Sequence, residues 1–209
     1  MTDKAAYTES MNRLIDEFAR LPGIGRRTAE RLAFHVLKTP EEQARQLARA
    51  IDDVKTSVRH CSRCFNLTEA DPCTICAAAD AGRRDGRKLL VVEQPKDVII
   101  LEQTHSYDGV YHVLLGHIAP LEGVGPGDLT IGPLIERVTE LSKTGDVEVI
   151  LGTNPNLEGD GTALHIGQRL GEVPNVRVSR LARGLPAGTQ LEYANKAVLS
   201  DAIQSRQSM

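Results

Sequence analysis

Apolar side chains recur along the first sixty residues at helical spacing. Leu14, Ile15, Phe18 and Leu21 share one stripe, Pro22-Gly23-Ile24-Gly25 interrupts it with turn residues, and Ala29, Leu32, Ala33 and Val36 form a second stripe. Thr39-Pro40-Glu41-Glu42 then reads as a cap, a proline at the first helical position and a glutamate three residues past the cap. Ala44, Leu47, Ala48 and Ile51 continue as a third helix. The segment 61–76 has little period, and 77–88 is small, glycine-bearing and charged, as expected of a linker. From residue 89 the pattern changes to short apolar runs and helical stripes: 89–92, 98–101, 110–115, 134–141, 147–151, 163–170 and 176–178. Strands alternating with helices predict a mostly parallel sheet covered on both faces. Val198, Leu199, Ala202 and Ile203 predict a short C-terminal helix. The fold class expected is α/β plus α.

Composition narrows the partners. The 209 residues are 41% hydrophobic and 25% charged, an ordinary globular balance that argues against a disordered or fibrous chain. Aromatics are only 3%, with no Trp, so base-stacking platforms have little raw material and any nucleic-acid contact must lean on charge and backbone. No stretch approaches the ~20 apolar residues of a membrane helix, and the first ten residues lack a signal-peptide pattern. A cytoplasmic location is expected, where the four cysteines would be thiols or metal ligands rather than disulfides. The net charge of -3 hides an asymmetry. Residues 1–88 carry 16 Lys+Arg against 13 Asp+Glu, and residues 89–209 carry 9 against 15. A basic front and an acidic back imply different partners.

Cys61-Ser-Arg-Cys64 and Cys73-Thr-Ile-Cys76, eight residues apart, are the sharpest chemical signal. Two such knuckles place four thiolates at the corners of a tetrahedron, which suits a structural Zn2+ with no open position. The metal would tie the helical part to the sheet part. Redox dithiols or a 2Fe-2S cluster are the alternatives. His60 adjoins the set, but four cysteines already complete the shell.

Leu21-Pro-Gly23-Ile-Gly25-Arg26-Arg27-Thr-Ala-Glu-Arg31 joins two short helices. Its glycines allow a tight bend and close approach to a phosphate, the second helix aims its first amides at the anion, and Arg26, Arg27 and Arg31 add charge. This is the logic of a helix-hairpin-helix element, which binds DNA through phosphates and so without sequence preference. The competing reading is a plain connecting turn with solvent-facing arginines.

In the second half, Val91-Val92-Glu93 ends one strand with a carboxylate, and 147–151 ends another at Gly152-Thr-Asn154-Pro-Asn156-Leu-Glu158-Gly-Asp160. The carboxyl ends of parallel strands form the functional edge, so these loops should face one another. The arrangement resembles the Toprim fold of topoisomerases and primases, where a glutamate and an Asp-x-Asp hold Mg2+. Asn154 and Asn156 stand at the Asp-x-Asp positions, and neutral amides supply no carboxylate charge to the ion. The stretch also reads as a capped helix start. Residues 122–128 are glycine-rich but contain no Gly-Lys-Ser/Thr and do not form a Walker A loop.

The three motifs in this order resemble the bacterial recombination mediator family RecR over about residues 10 to 205. The resemblance implies a non-enzymatic DNA-repair protein that assembles into dimers and ring-like tetramers, acts with RecO and in some pathways RecF, and helps load RecA onto gapped DNA. It implies a helix-hairpin-helix region over 1–60, a zinc finger over 61–76, the linker 77–88, a Toprim-like domain over 89–180, and a C-terminal oligomer-contact segment over 181–209. Arg27 and Arg31 match the hairpin cations that face DNA in that family, with Gly23, Gly25 and Arg26 as further DNA-facing candidates, Arg26 standing where many relatives have proline, and Cys61, Cys64, Cys73 and Cys76 would hold one zinc. Glu93, Glu158 and Asp160 are candidate carboxylates for a basic partner protein such as RecO. The runner-up is a Toprim-type Mg-dependent nuclease, primase or topoisomerase-like enzyme working through the same three acids.

Overall fold

The computed structural model describes residues 7–188 and 190–206; the outermost residues of the expected 1–60 and 181–209 segments lie outside the described residues. The chain divides into two compact units after Val58.

The first unit is helical. Helix α1 (Glu9–Ala19) starts at Thr8, whose side chain accepts a hydrogen bond from Met11 N. Helix α2 (Arg26–Lys38) packs against it, and helix α3 (Glu41–Ser57) follows Pro40. The core is small: Ile15, Ala29 and Ala33 are fully buried, with Met11, Leu14, Phe18 and Ile24 around them. Paired alanines let the helices approach closely but bury little area, so this unit gains only modest hydrophobic stabilisation. Helix α3 buries none of its residues.

The second unit opens with a two-stranded antiparallel ladder, β1 (Arg59–His60) and β2 (Leu67–Thr68), followed by helix α4 (Thr74–Asp80). Strand β3 (Asp85–Val92), helix α5 (Pro95–Glu102), strand β4 (Gly109–Val113), helix α6 (Ile131–Ser142), strand β5 (Val147–Leu151), helix α7 (Leu157–Leu170) and strand β6 (Val176–Arg180) then alternate. The four strands form a parallel sheet in the order β4-β3-β5-β6. Alternation along β3 serves both faces. Leu89 and Val91 join Leu134, Val138, Val149, Ile166 and Leu170 in one core, while Leu90 and Val92 join Val98, Tyr111 and Val113 in the other. A sheet apolar on both sides must be covered twice, as parallel sheets are. Helix α8 (Lys196–Gln204) ends the described chain, capped by Asn195, and buries no residue.

One expectation is corrected. Residues 77–88 are not a linker, because α4 runs to Asp80 and β3 starts at Asp85. Their polarity has a local cause: β3 begins half-exposed and becomes buried only from Leu89. The knuckle residues fall within the second unit, where Val113 N donates to Cys64 O at 2.8 Å. The run 98–101 is helical, started by Pro95 and a capping box between Gln94 and Asp97. Among the described residues, no helix is long and apolar enough to cross a membrane.

Candidate functional site

The bend between α1 and α2 closes by a hydrogen bond from Ile24 N to Leu21 O at 3.0 Å, with Gly23 at φ 78°, a left-handed value that favours glycine. Gly25 occupies the cap position of α2, and no side chain caps that helix start. A methyl group at Gly23 or Gly25 would meet nothing, so the backbone there fronts open space. The first amides of α2 therefore face outward with the positive end of the helix dipole behind them. The three arginines are not equivalent. Arg26 Nη1 donates to Asp16 Oδ1 at 2.7 Å and its Nε lies 3.7 Å from Glu30, so its charge is spent within the hairpin. Arg27 and Arg31 are exposed, make no ion pair among the described residues, and line one recess with Phe34, His35 and Lys38. Lys38 adds a third cation to the same face, as the spacing from Arg27 would have allowed one to see, while Glu30 in the recess faces Arg26.

The four cysteines are all buried, and their sulfurs lie within 4.8 Å of one another, with Cys64 Sγ 3.5 Å from Cys73 Sγ. Zn–S bonds of ~2.3 Å in a tetrahedron give sulfur separations of about 3.8 Å, so the donor set fits. The local backbone makes the cage. Cys61 N donates to Asn66 O at 2.8 Å, Phe65 N to Cys61 O at 3.0 Å, and Cys73 N to Cys61 Sγ at 3.3 Å, while Cys73 caps α4 and Cys76 falls in its first turn. Asp71 Oδ1 accepts from Ser62 N and Oγ, which clamps the two knuckles together and holds that carboxyl below its usual range. Hydrogen bonds from Cys64 and Cys76 push the Cys73 thiol down, and the same contact with Cys73 pushes Cys64 up. Such crowding of thiols is relieved by a dication. His60 is exposed, with Nδ1 2.9 Å from Phe65 O, and stands apart from the sulfurs.

At the carboxyl edge of the sheet, the loops after β3 and β5 do meet. Glu93 is 3% exposed; its Oε1 accepts from Asn154 N at 2.8 Å and its Oε2 from Asn154 Nδ2 at 2.6 Å. His117 Nδ1 lies 3.3 Å from the second oxygen. Asn156 caps α7 by accepting from Gly159 N at 2.8 Å. Gly159 is obligatory there, because a Cβ would fall 2.1 Å from Asn154 O. Asp160 is held by Arg180 and Arg183, the latter through Nη1 at 3.1 Å, and these guanidinium groups keep its carboxyl below the usual range. Of the three candidate carboxylates, Glu93 is buried and Asp160 is paired, leaving Glu158 half-exposed. Sequence reasoning missed Arg180 and Arg183, which no local pattern ties to Asp160.

Comparison with known proteins agrees with this geometry. The family model for the RecR helix-hairpin-helix matches residues 11–55, that for the RecR four-cysteine zinc finger domain residues 58–78, and that for the Toprim domain residues 87–182. The recombination protein RecR of Rhodopirellula baltica is 47% identical over 206 residues, covering 98% of this chain and all of that protein. RecR of Herpetosiphon aurantiacus is 50% identical over 202 residues, 96% of this chain and 95% of its own. RecR of Rubrobacter xylanophilus is 48% identical over 205 residues, 98% of this chain and 100% of its own. With every structural part matched in order and near half of the residues shared from end to end, the chain belongs to the RecR family of recombination proteins.

Proposed function

We propose that the protein is a non-enzymatic DNA-binding mediator of recombinational repair in the cytoplasm, which grips DNA through the α1–α2 hairpin without reading sequence. The observation that carries this reading is the pairing of an uncapped α2 start with Arg27 and Arg31, two exposed arginines that form no ion pair among the described residues. Backbone amides and guanidinium groups recognise phosphate and are indifferent to bases. Zinc fits the four thiolates as a closed structural ion that fixes the knuckle and carries no reaction.

The sheet edge supports the absence of catalysis. A Toprim enzyme needs its glutamate free for Mg2+, whereas here Asn154 occupies both oxygens of Glu93 and neutral amides stand at the two following ligand positions. Assembly is favoured by α3, where Leu47, Ile51 and Val54 are 48%, 59% and 59% exposed along one face. A homo-oligomeric ring of two or four copies would bring several hairpins to one DNA molecule, raising the effective local concentration without new contacts. Glu158, flanked by the exposed Leu157, is the carboxylate best placed to receive a basic partner in the role of RecO, with RecF as a further partner and RecA loading as the outcome.

The test is binding of the zinc-loaded chain to oligonucleotides of unrelated sequence, with and without Mg2+. Equal affinities that fall steeply with salt, and intact DNA after incubation with Mg2+, are expected. Strong preference for one sequence, or Mg2+-dependent nicking at appreciable turnover, contradicts the reading.

A further inference from the structure

Four thiolates around a dication leave two net negative charges, and in this fold they are placed in a buried cage. Charge in a low-dielectric interior must be compensated nearby. Arg63, inside the first knuckle, is the obvious cation, but its Nη1 donates to Asp80 Oδ1 at 2.6 Å, and both side chains are about half exposed. Its charge is therefore largely neutralised and screened.

Arg137 on α6 is different. It lines one recess with Cys76 and Arg63, and its Nη1 donates to Tyr111 O at 2.9 Å and lies 3.5 Å from Arg63 O. Both acceptors are neutral carbonyls, one on the sheet and one on the knuckle. The acids that share the recess are engaged elsewhere, Asp80 with Arg63 and Glu140 with Lys143 at 2.5 Å. Burial pulls the Arg137 guanidinium below the ordinary arginine value, while the Cys76 and Cys64 thiolates beside it pull it back up. Among the described residues that line this recess, the cysteine cage is the anionic group that no side-chain cation has already paired.

We propose that Arg137 is the counter-cation of the metal cage: a positioning residue on α6, outside the zinc finger, whose positive charge sets how tightly the four cysteines hold zinc. The inference rests on the zinc reading above. It also explains why a knuckle with its own arginine recruits a second one from a helix sixty residues further along the chain. The partners of a metal's ligands commonly alter metal affinity by about 10- to 100-fold.

The experiment is equilibrium competition for zinc between a chromogenic chelator and the full-length chain, in the parent, Arg137→Gln, Arg137→Lys and Arg63→Gln. Arg137→Gln, which keeps a donor for the carbonyls but loses the charge, is expected to weaken zinc at least about tenfold. Arg137→Lys should stay within about threefold of the parent, and Arg63→Gln should change little. In a Cys76→His background, where the cage carries one negative charge fewer, the cost of Arg137→Gln should shrink. A bridging role through Tyr111 O and Arg63 O would leave that cost unchanged. Parental affinity in Arg137→Gln, equal weakening in Arg137→Lys, or an undiminished cost beside Cys76→His overturns the proposal. Should Arg137→Gln alone not fold, Arg137→Lys and the Cys76→His/Arg137→Gln chain are expected to fold with zinc, and unfolding of both overturns it. A parent that binds no zinc defeats the zinc reading itself, whereas equal affinities defeat only the role of Arg137.

Discussion

His112 is fully buried on β4, with Nε2 3.0 Å from both the carbonyl and the hydroxyl oxygen of Thr130 and with Nδ1 lacking a hydrogen-bond partner among the described residues. Burial, and then the charge of Arg137, lower its pKa from the ordinary 6.5 to about 3. The folded chain therefore binds fewer protons here than the unfolded chain between these two values. Stability from this site is full above about pH 6.5 and falls as pH drops toward 3. Denaturant unfolding of zinc-loaded protein at pH 7 and pH 5 should show a steeper acid loss in the parent than in His112→Asn; identical losses would contradict this account. Other single residues were legible in different degrees. The facing of Glu93 and Asn154 followed from strand order alone, because both end adjacent parallel strands. That Glu93 would be buried, and Asp160 claimed by Arg180 and Arg183, depends on packing between segments some twenty to sixty residues apart, which leaves no local trace.

Among the elements, helices with clear stripes were legible and the knuckle was legible from spacing, whereas Thr39, expected to cap α3, ends α2 and Pro40 takes the cap position of α3. The stretch 77–88 was not. Its alanines continue α4, which Cys73 starts, and its charges open β3, so helix end and strand start together imitate a linker. The knuckle elements should stand or fall with the metal. The ladder β1–β2 has two residue pairs and α4 only seven residues, too little to persist without the cage. Chelation of zinc is expected to abolish amide protection over 59–80 while strands β3 and β5, buried between helices, keep theirs. Hydrogen exchange read by mass spectrometry checks this, and equal protection of 59–80 with and without metal would contradict it.

For the whole molecule, charge and structure divide the chain at different places. The front 88 residues carry the positive excess and the hairpin, and the acidic remainder carries the sheet. That split was legible only in part from counting, because the structural boundary falls after Val58 and the residues before it carry 10 Lys+Arg against 9 Asp+Glu. The unpartnered face of α3 was not, since Leu47 and Ile51 read equally well as core. If that face joins copies, Ile51→Glu with Val54→Glu should reduce the mass by light scattering to that of smaller species, because two carboxylates would have to be buried together. An unchanged mass at equal concentration would place the assembly contact elsewhere.

On the proposed function, guanidinium groups on α2 hold DNA phosphates. Affinity for a duplex of arbitrary sequence, measured across a salt series for the parent and for Arg27→Ala with Arg31→Ala, addresses it most directly. Loss of two phosphate contacts per engaged hairpin should weaken binding and flatten the slope of log affinity against log salt by about 1.8 for each hairpin, with zinc content unchanged. A double variant that binds as tightly and with the same slope as the parent would contradict the account.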